Sequence, residues 1–157
     1  MAEMIGSIDA AVGRALQVAG PHIRLAMPLG IGKPNAFANA LYRQARENPA
    51  LQLDIYTALS LLKPQATSEL EQRFLGPLAA RLYGNYPDLE YALALQHNRL
   101  PPHVRVHEFF LKSGDWLGNP HAQQHYISSN YTHIARDMAA KRINVLAQAV
   151  AVREDNG

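Results

Sequence analysis

Helices and strands alternate along this chain, which predicts an α/β fold: an open parallel or mixed sheet flanked by helices. Three observations carry that expectation. Apolar residues return at helical spacing through 4–18, 34–47, 67–84 and 132–142. Strand-like runs stand between them at 22–28, 51–59, 103–110 and 144–152. Glycine, proline and asparagine punctuate the junctions.

The first helix places Ile5, Ile8, Val12 and Leu16 on one stripe, and Gly20-Pro21 ends it. HIRLAMP, 22–28, is the first strand. PLGIGKPNAFANAL follows, with Gly30 and Gly32 between the apolar run and a helix from Pro34 to Glu47. Proline suits the first helical position, because its missing N–H is not needed there and its φ is already helical. Phe37, Leu41, Tyr42 and Ala45 form the apolar face, and Asn48-Pro49 is the stop. LQLDIYTAL, 51–59, is the second strand. The helix at 67–84 takes Thr67 or Ser68 as its cap, with Glu69 and Glu71 near the positive end of its dipole. Gly76-Pro77 is expected to kink or split it. Residues 88–98 read as helix, HVRVHEFF (103–110) as a strand, SGDWLGNP (113–120) as a loop, and 120–126 as a short helix. The helix at 132–142 carries Lys141 and Arg142 at its negative end. NVLAQAVAV, 144–152, is a near-continuous apolar run of the kind that suits a strand buried on both faces. REDNG comes directly after it. A parallel strand normally leads into another crossover, so the chain reads either as a piece of a longer one or as ending in an edge strand.

The 157 residues fit one domain, 1–157, and 48% apolar content is ordinary for a folded core. The charge is +2, from 15 basic and 13 acidic residues, and the basic ones are scattered. Nucleic-acid binding needs them clustered on one face, so no nucleic-acid partner is expected. The absence of cysteine excludes a disulfide scaffold, a thiolate nucleophile and a cysteine metal site. Glu3, Asp9 and Arg14 interrupt the first apolar pattern, which a signal peptide would not allow. No apolar run is long enough to cross a bilayer. The expectation is a soluble, cytoplasmic protein with no membrane partner.

A strand, a glycine turn and a helix start form the geometry that aims backbone N–H groups at an anion. The dinucleotide fingerprint needs a third glycine or alanine where Asn35 stands, and an acid at the end of the next strand, whereas Asp54 lies mid-strand. The phosphate-loop and nucleophile-elbow patterns are absent. A tight turn that merely exploits glycine's freedom remains the plain alternative. The second informative stretch, 108–137, is dense in polar residues between two apolar strands. Helix capping accounts for part of Ser128, Ser129, Asn130 and Thr132. His121 and His125 are spaced to share one helix face, with His133 further on, but no carboxylate ligand stands close in sequence, so no metal site is assigned. Glu108 lies in an apolar strand, where burial would raise its pKa and suit a base or nucleophile. The plain reading makes it an outward-facing or paired strand residue. Asp115 and Asp137 read as loop and helix-surface residues.

GIGKPNAFANALYRQA, then EFF, LGNP and YISSNYTH with ARD, then INVLAQAVA, together resemble the N-terminal domain of the acetyl-CoA hydrolase/transferase family. These are the family I CoA-transferases related to 4-hydroxybutyrate and acetate CoA-transferases. The resemblance spans about residues 5–152 and is most specific in YISSNYTH. It implies a CoA-transferase-like α/β fold and coenzyme A as a substrate rather than a bound cofactor. It implies a glutamate that attacks an acyl-CoA thioester, forming an acyl-glutamyl anhydride as CoA leaves. CoA then returns to give a glutamyl-CoA thioester, from which a second acid, or water in hydrolases, completes the cycle. In the family that glutamate and the CoA-binding loop lie in the second half of the protein. No catalytic residue is therefore expected here, and Glu108 does not sit in the nucleophile's context. By analogy the turn lines the cleft opposite the glutamate, so Gly30, Ile31, Gly32, Lys33 and Pro34, with Asn130 and Tyr131, are the candidate substrate-binding residues. The N–H groups of Ile31, Gly32 or Lys33 would meet an oxyanion or a carboxylate.

Three readings follow. The chain is the N-terminal domain of an acyl-CoA hydrolase or CoA-transferase, inactive alone. Or it is a free-standing subunit or binding module whose partner supplies the nucleophile, with homo-oligomers also open. Or it is an unrelated nucleotide-binding α/β domain.

Overall fold

The computed structural model describes residues 3–152; REDNG lies outside the described residues. The elements run α1 (Ile8–Ala19), β1 (His22–Ala26), a 3-10 turn (Gly30–Gly32), α2 (Asn35–Glu47), β2 (Gln52–Thr57) and α3 (Glu69–Tyr83). Then come α4 (Glu90–Gln96), β3 (Val104–Glu108), α5 (Pro120–His125), α6 (Ile134–Ala140) and β4 (Val145–Leu146). The strands form one sheet in the order β3-β2-β1-β4, and every pairing is parallel. The α/β expectation holds in its parallel form.

Strand periodicity gives the sheet two unlike faces. Ile23 and Leu25 of β1, Leu53 and Ile55 of β2, and Val104 and Val106 of β3 are buried. Val12 of α1, Leu41 and Ala45 of α2, and Tyr91 and Leu95 of α4 join them in one core. The alternate positions carry His22 and Arg24, Asp54 and Tyr56, and Arg105 and His107. Among the described residues, α5 lies beside β3 on that face and α6 near the strand ends.

Local chemistry sets the boundaries. Ser7 caps α1 by accepting from the Ala10 N–H at 3.2 Å. Ser68 and Glu71 form a capping box on α3, in which Ser68 accepts from Glu71 N (3.2 Å) and Glu71 from Thr67 N (2.7 Å). The α4 start has no cap of its own; buried Asn39 of α2 accepts from Glu90 N at 2.9 Å and donates to Asp88 O at 2.7 Å.

Three expectations need correction. Pro34 stands ahead of α2 rather than inside it: with φ −81° and ψ 72° it centres an inverse γ-turn closed by Asn35 N on Lys33 O at 3.0 Å. Gly76-Pro77 does not split α3, which continues through both. The apolar run at 144–152 is not a central strand. It pairs only at 145–146, on the edge beside β1. Asn144 is one reason: its side chain accepts from Arg24 N (2.7 Å) and donates to His22 O (2.8 Å), doing in two bonds what further strand would do. Leu146, Val150 and Val152 are left exposed.

Candidate functional site

Open parallel sheets bind ligands beyond the carboxyl ends of their strands, where the strand order reverses. Here the reversal falls between β1 and β4. A cleft of about 640 Å³ lies at that place. Its walls include Met27 after β1, Tyr56 on β2, Phe109 after β3, Tyr131, Met138 on α6 and Leu146 on β4. The size suits a small molecule. Among the described residues, Arg142 is the sole charged residue lining it, and no carboxylate does.

The glycine turn forms the shoulder of this cleft. Gly30 has φ +61°, a conformation that side-chain-bearing residues avoid. Gly32 passes so close to Pro28 that an added Cβ would lie 3.3 Å from the ring Cγ. Gly32 O accepts from Ala149 N at 3.0 Å, tying the turn to the segment after β4. Leu29 reaches the cleft, whereas Gly30 to Pro34 do not line it. Ile31 points outward and is 77% exposed.

Lys33 turns to the core side. It is 3% exposed, and its Nζ donates to Ala58 O at 2.5 Å and Leu59 O at 3.1 Å. Burial pulls its ammonium down to about 8, against the opposing pull of the Glu108 carboxylate. Glu108 is buried as well and faces inward, which corrects the outward-facing reading. Burial raises its carboxyl, while a hydrogen bond donated by the Ser60 hydroxyl and the charge of Lys33 oppose the rise. Ser60 Oγ also meets Tyr91 OH at 2.8 Å. The set pins the loop after β2, where Leu59 has φ +50°, beneath the glycine turn.

In YISSNYTH the side chains divide. Asn130 Oδ1 accepts from Thr132 N (3.0 Å) and His133 N (3.1 Å), preparing the start of α6. Ser129 donates to Asp137 at 2.6 Å. Tyr131 alone of the segment lines the cleft, meeting Phe109 edge to face at 5.7 Å between ring centres. The structure therefore brings Tyr131 and the shoulder of the turn together, and leaves Asn130 exposed at a helix start.

The polar face carries a second cluster. Asp54 is buried, and Arg105 grips both its oxygens at 2.6 and 3.0 Å, while His22 Nε2 lies 2.7 Å from Oδ2. Burial alone would raise this carboxyl; the nearby imidazoles of His107 and His22 and the Arg105 fork outweigh it and hold the group well below the usual carboxylate range. His107 stacks on Tyr56 at 4.6 Å and meets His125 edge-on at 4.9 Å. His121 Nε2 accepts from Val106 N at 3.0 Å, satisfying the open edge of β3. Burial, with His125 and His107 beside it, lowers His121 to about 4. That nitrogen is thus taken. Among the described residues no three His, Asp or Glu side chains are arranged to hold a metal ion.

The dinucleotide reading loses both its anchors. Asn35, in the third glycine's place, is buried and donates to Pro87 O at 2.7 Å. Asp54 is already committed to Arg105 and His22. Sequence reasoning missed Arg105, His22, Ser60 and Tyr91. The signal for Arg105 was the alternation of HVRVHEFF, which placed a charge opposite Asp54 once the strands were set in register. No helix of the described residues is long and apolar enough to cross a membrane. Comparison with protein families, with curated proteins and with solved structures finds no match for this chain.

Proposed function

We propose that this chain is the N-terminal domain of an acyl-CoA hydrolase or CoA-transferase, working in the cytoplasm with a second domain or subunit that brings the nucleophilic glutamate. The observation that carries the reading is the cleft: apolar, sized for a small molecule, at the switch point of a parallel sheet, and without a carboxylate among the described residues of its lining. Such a wall receives an acyl chain and leaves the covalent chemistry to a group from outside it. Arg142 at its rim suits a carboxylate acceptor acid or a CoA phosphate, which guanidinium binds with paired hydrogen bonds. The exposed Leu146 of the cleft wall suits contact with the second domain. The buried Glu108, on the core side with Ser60 and Lys33, is a structural carboxylate in this reading.

The test has two readouts. Purified chain is assayed for acetyl-CoA turnover, with hydroxylamine and borohydride trapping of any acyl or CoA adduct. In parallel, the 13C-labelled methionine methyls are followed by NMR, since Met27 and Met138 line the cleft and Met4 does not. No turnover, no adduct, and acetyl-CoA shifts confined to Met27 and Met138 are expected, with NADH leaving both unmoved. An adduct on Glu108 overturns the missing-nucleophile reading. Shifts with NADH and none with acetyl-CoA return the chain to the nucleotide-binding class.

A further inference from the structure

The longest helix among the described residues is α3. Not one residue of α3 is buried. The side turned toward the body carries Leu75, Gly76, Ala79 and Tyr83, all half-buried. The opposite side carries Leu70, Phe74, Leu78 and Leu82, which are 77%, 74%, 43% and 62% exposed. Four large apolar residues spaced four apart make one continuous ridge, and it faces water. A solvent face is normally the polar side of a helix, so this arrangement is inverted. The described apolar core closes without them.

We propose that this ridge is the interface of a homodimer, in which α3 packs antiparallel against α3 of a second copy. The argument is self-complementarity. Around a two-fold axis passing beside position 76, Leu70 comes opposite Leu82 and Phe74 opposite Leu78 of the second copy. The same register sets Glu71 opposite Arg81. The acidic residues of α3, Glu69 and Glu71, lie in its first turn and Arg81 in its last. Antiparallel pairing therefore places opposite charges together at both ends, whereas parallel pairing would place like charges together. Glu69 already pairs with Arg73, an i,i+4 contact at 3.0 Å, and Glu71 gives its Oε2 to the cap at Thr67, so it is Glu71 Oε1 and Arg81 that read direction. The ridge follows the four-residue row of the helix, and two such rows interlock at a crossing of about −50°. An interface in which each copy presents the same patch is the usual form of a two-fold dimer. A single pair of helices of this length falls at the small end of specific interfaces, so the dimer forms at roughly micromolar concentration rather than below it. This inference is independent of the proposed CoA chemistry.

The test is sedimentation velocity and light scattering over a concentration series. The wild-type chain is expected to pass from monomer to dimer. Phe74→Glu should remain monomeric with unchanged far-UV circular dichroism and Tm, because α3 buries nothing whose loss would unfold the domain. Arg81→Glu should weaken association by about tenfold, with the Thr67–Glu71 cap of α3 left intact. Since the chain has no cysteine, Leu70→Cys and Leu82→Cys can be introduced cleanly. Under oxidation a mixture of the two should form the mixed disulfide faster than either variant joins to itself. A wild type that stays monomeric at about 100 μM, a micromolar-affinity range being the expectation, overturns the proposal and leaves the ridge to a different protein partner. A dimer that survives Phe74→Glu, or faster self-linking of Leu70→Cys, overturns it too.

Discussion

The two faces of the sheet are held in opposite ways. One presents Leu25, Leu53, Ile55 and Val106 to helices that run along it, and is stabilised by burying apolar surface. The other presents Asp54, Arg105, His22 and His107, and is roofed by its own polar side chains more than by helices. Parallel sheets are usually covered by helices on both sides and apolar on both. The comparison teaches that a polar face of a parallel sheet closes when its charges meet across neighbouring strands. The cleft lies on this side, beyond the strand ends and between the sheet and α6.

The comparison breaks most visibly on the apolar face. Ile55→Ala removes a fully buried side chain from the central strand and should cost about 2–5 kcal/mol, read as a lower urea midpoint with unchanged slope. On the polar face, Asp54→Asn leaves the Arg105 guanidinium without its carboxylate. Breaking a wholly buried pair costs about 3–5 kcal/mol. Arg105 and His22 are 43% and 40% exposed at their side chains, so solvent takes up part of the loss. About 2 kcal/mol is expected here, and a loss equal to that of Ile55→Ala would remove the distinction between the faces.

The faces also differ in their response to acid. His121, ordinarily 6.5, is lowered to about 4 in the folded chain, so between those values the unfolded chain binds the extra proton. Stability then rises with pH across that window: it is fully present above 6.5 and lost as pH falls through about 4. Asp54 acts in the same sense at lower pH, since its depressed carboxyl stabilises the fold above the ordinary carboxylate range. Urea unfolding at a series of pH values should show the decline, and His121→Gln, which keeps an acceptor for Val106 N–H, should flatten it. An unchanged slope in that variant would move the acid sensitivity elsewhere. The smallest expected effect is at the turn. Gly30→Ala forces a side chain to φ +61° in open space, a cost of about 1 kcal/mol. The methionine methyls of the cleft report whether the shoulder shifts with it.

Much of the fold was legible because it is local. Ser7, Ser68 and Asn119 act as caps through bonds to residues three positions on, and Leu41, Tyr42 and Ala45 fall on one helical stripe wherever the helix docks. The candidate site was legible only in outline. Gly30 and Gly32 announced a turn, and Tyr131 belonged to the cleft, but the direction taken by Lys33 did not follow from its neighbours in sequence. Its ammonium is drawn inward by carbonyls at Ala58 and Leu59 and by Glu108, all more than twenty residues away. A turn next to an anion site and a turn anchored by a buried lysine share the same local spelling.

The sequence by itself determined the alternation of helices and strands, the apolar face of the sheet and the sharp turn after the first strand, because periodicity, capping and glycine's positive φ act over a few residues. Only the tertiary structure decided that β4 is a two-residue edge strand, that Asp54 is clasped by Arg105 across a strand boundary, and that the ridge of α3 faces outward. Those outcomes depend on register and docking, which bring together residues from distant parts of the chain. The same apolar or charged side chain is core, ion pair or surface according to what arrives beside it.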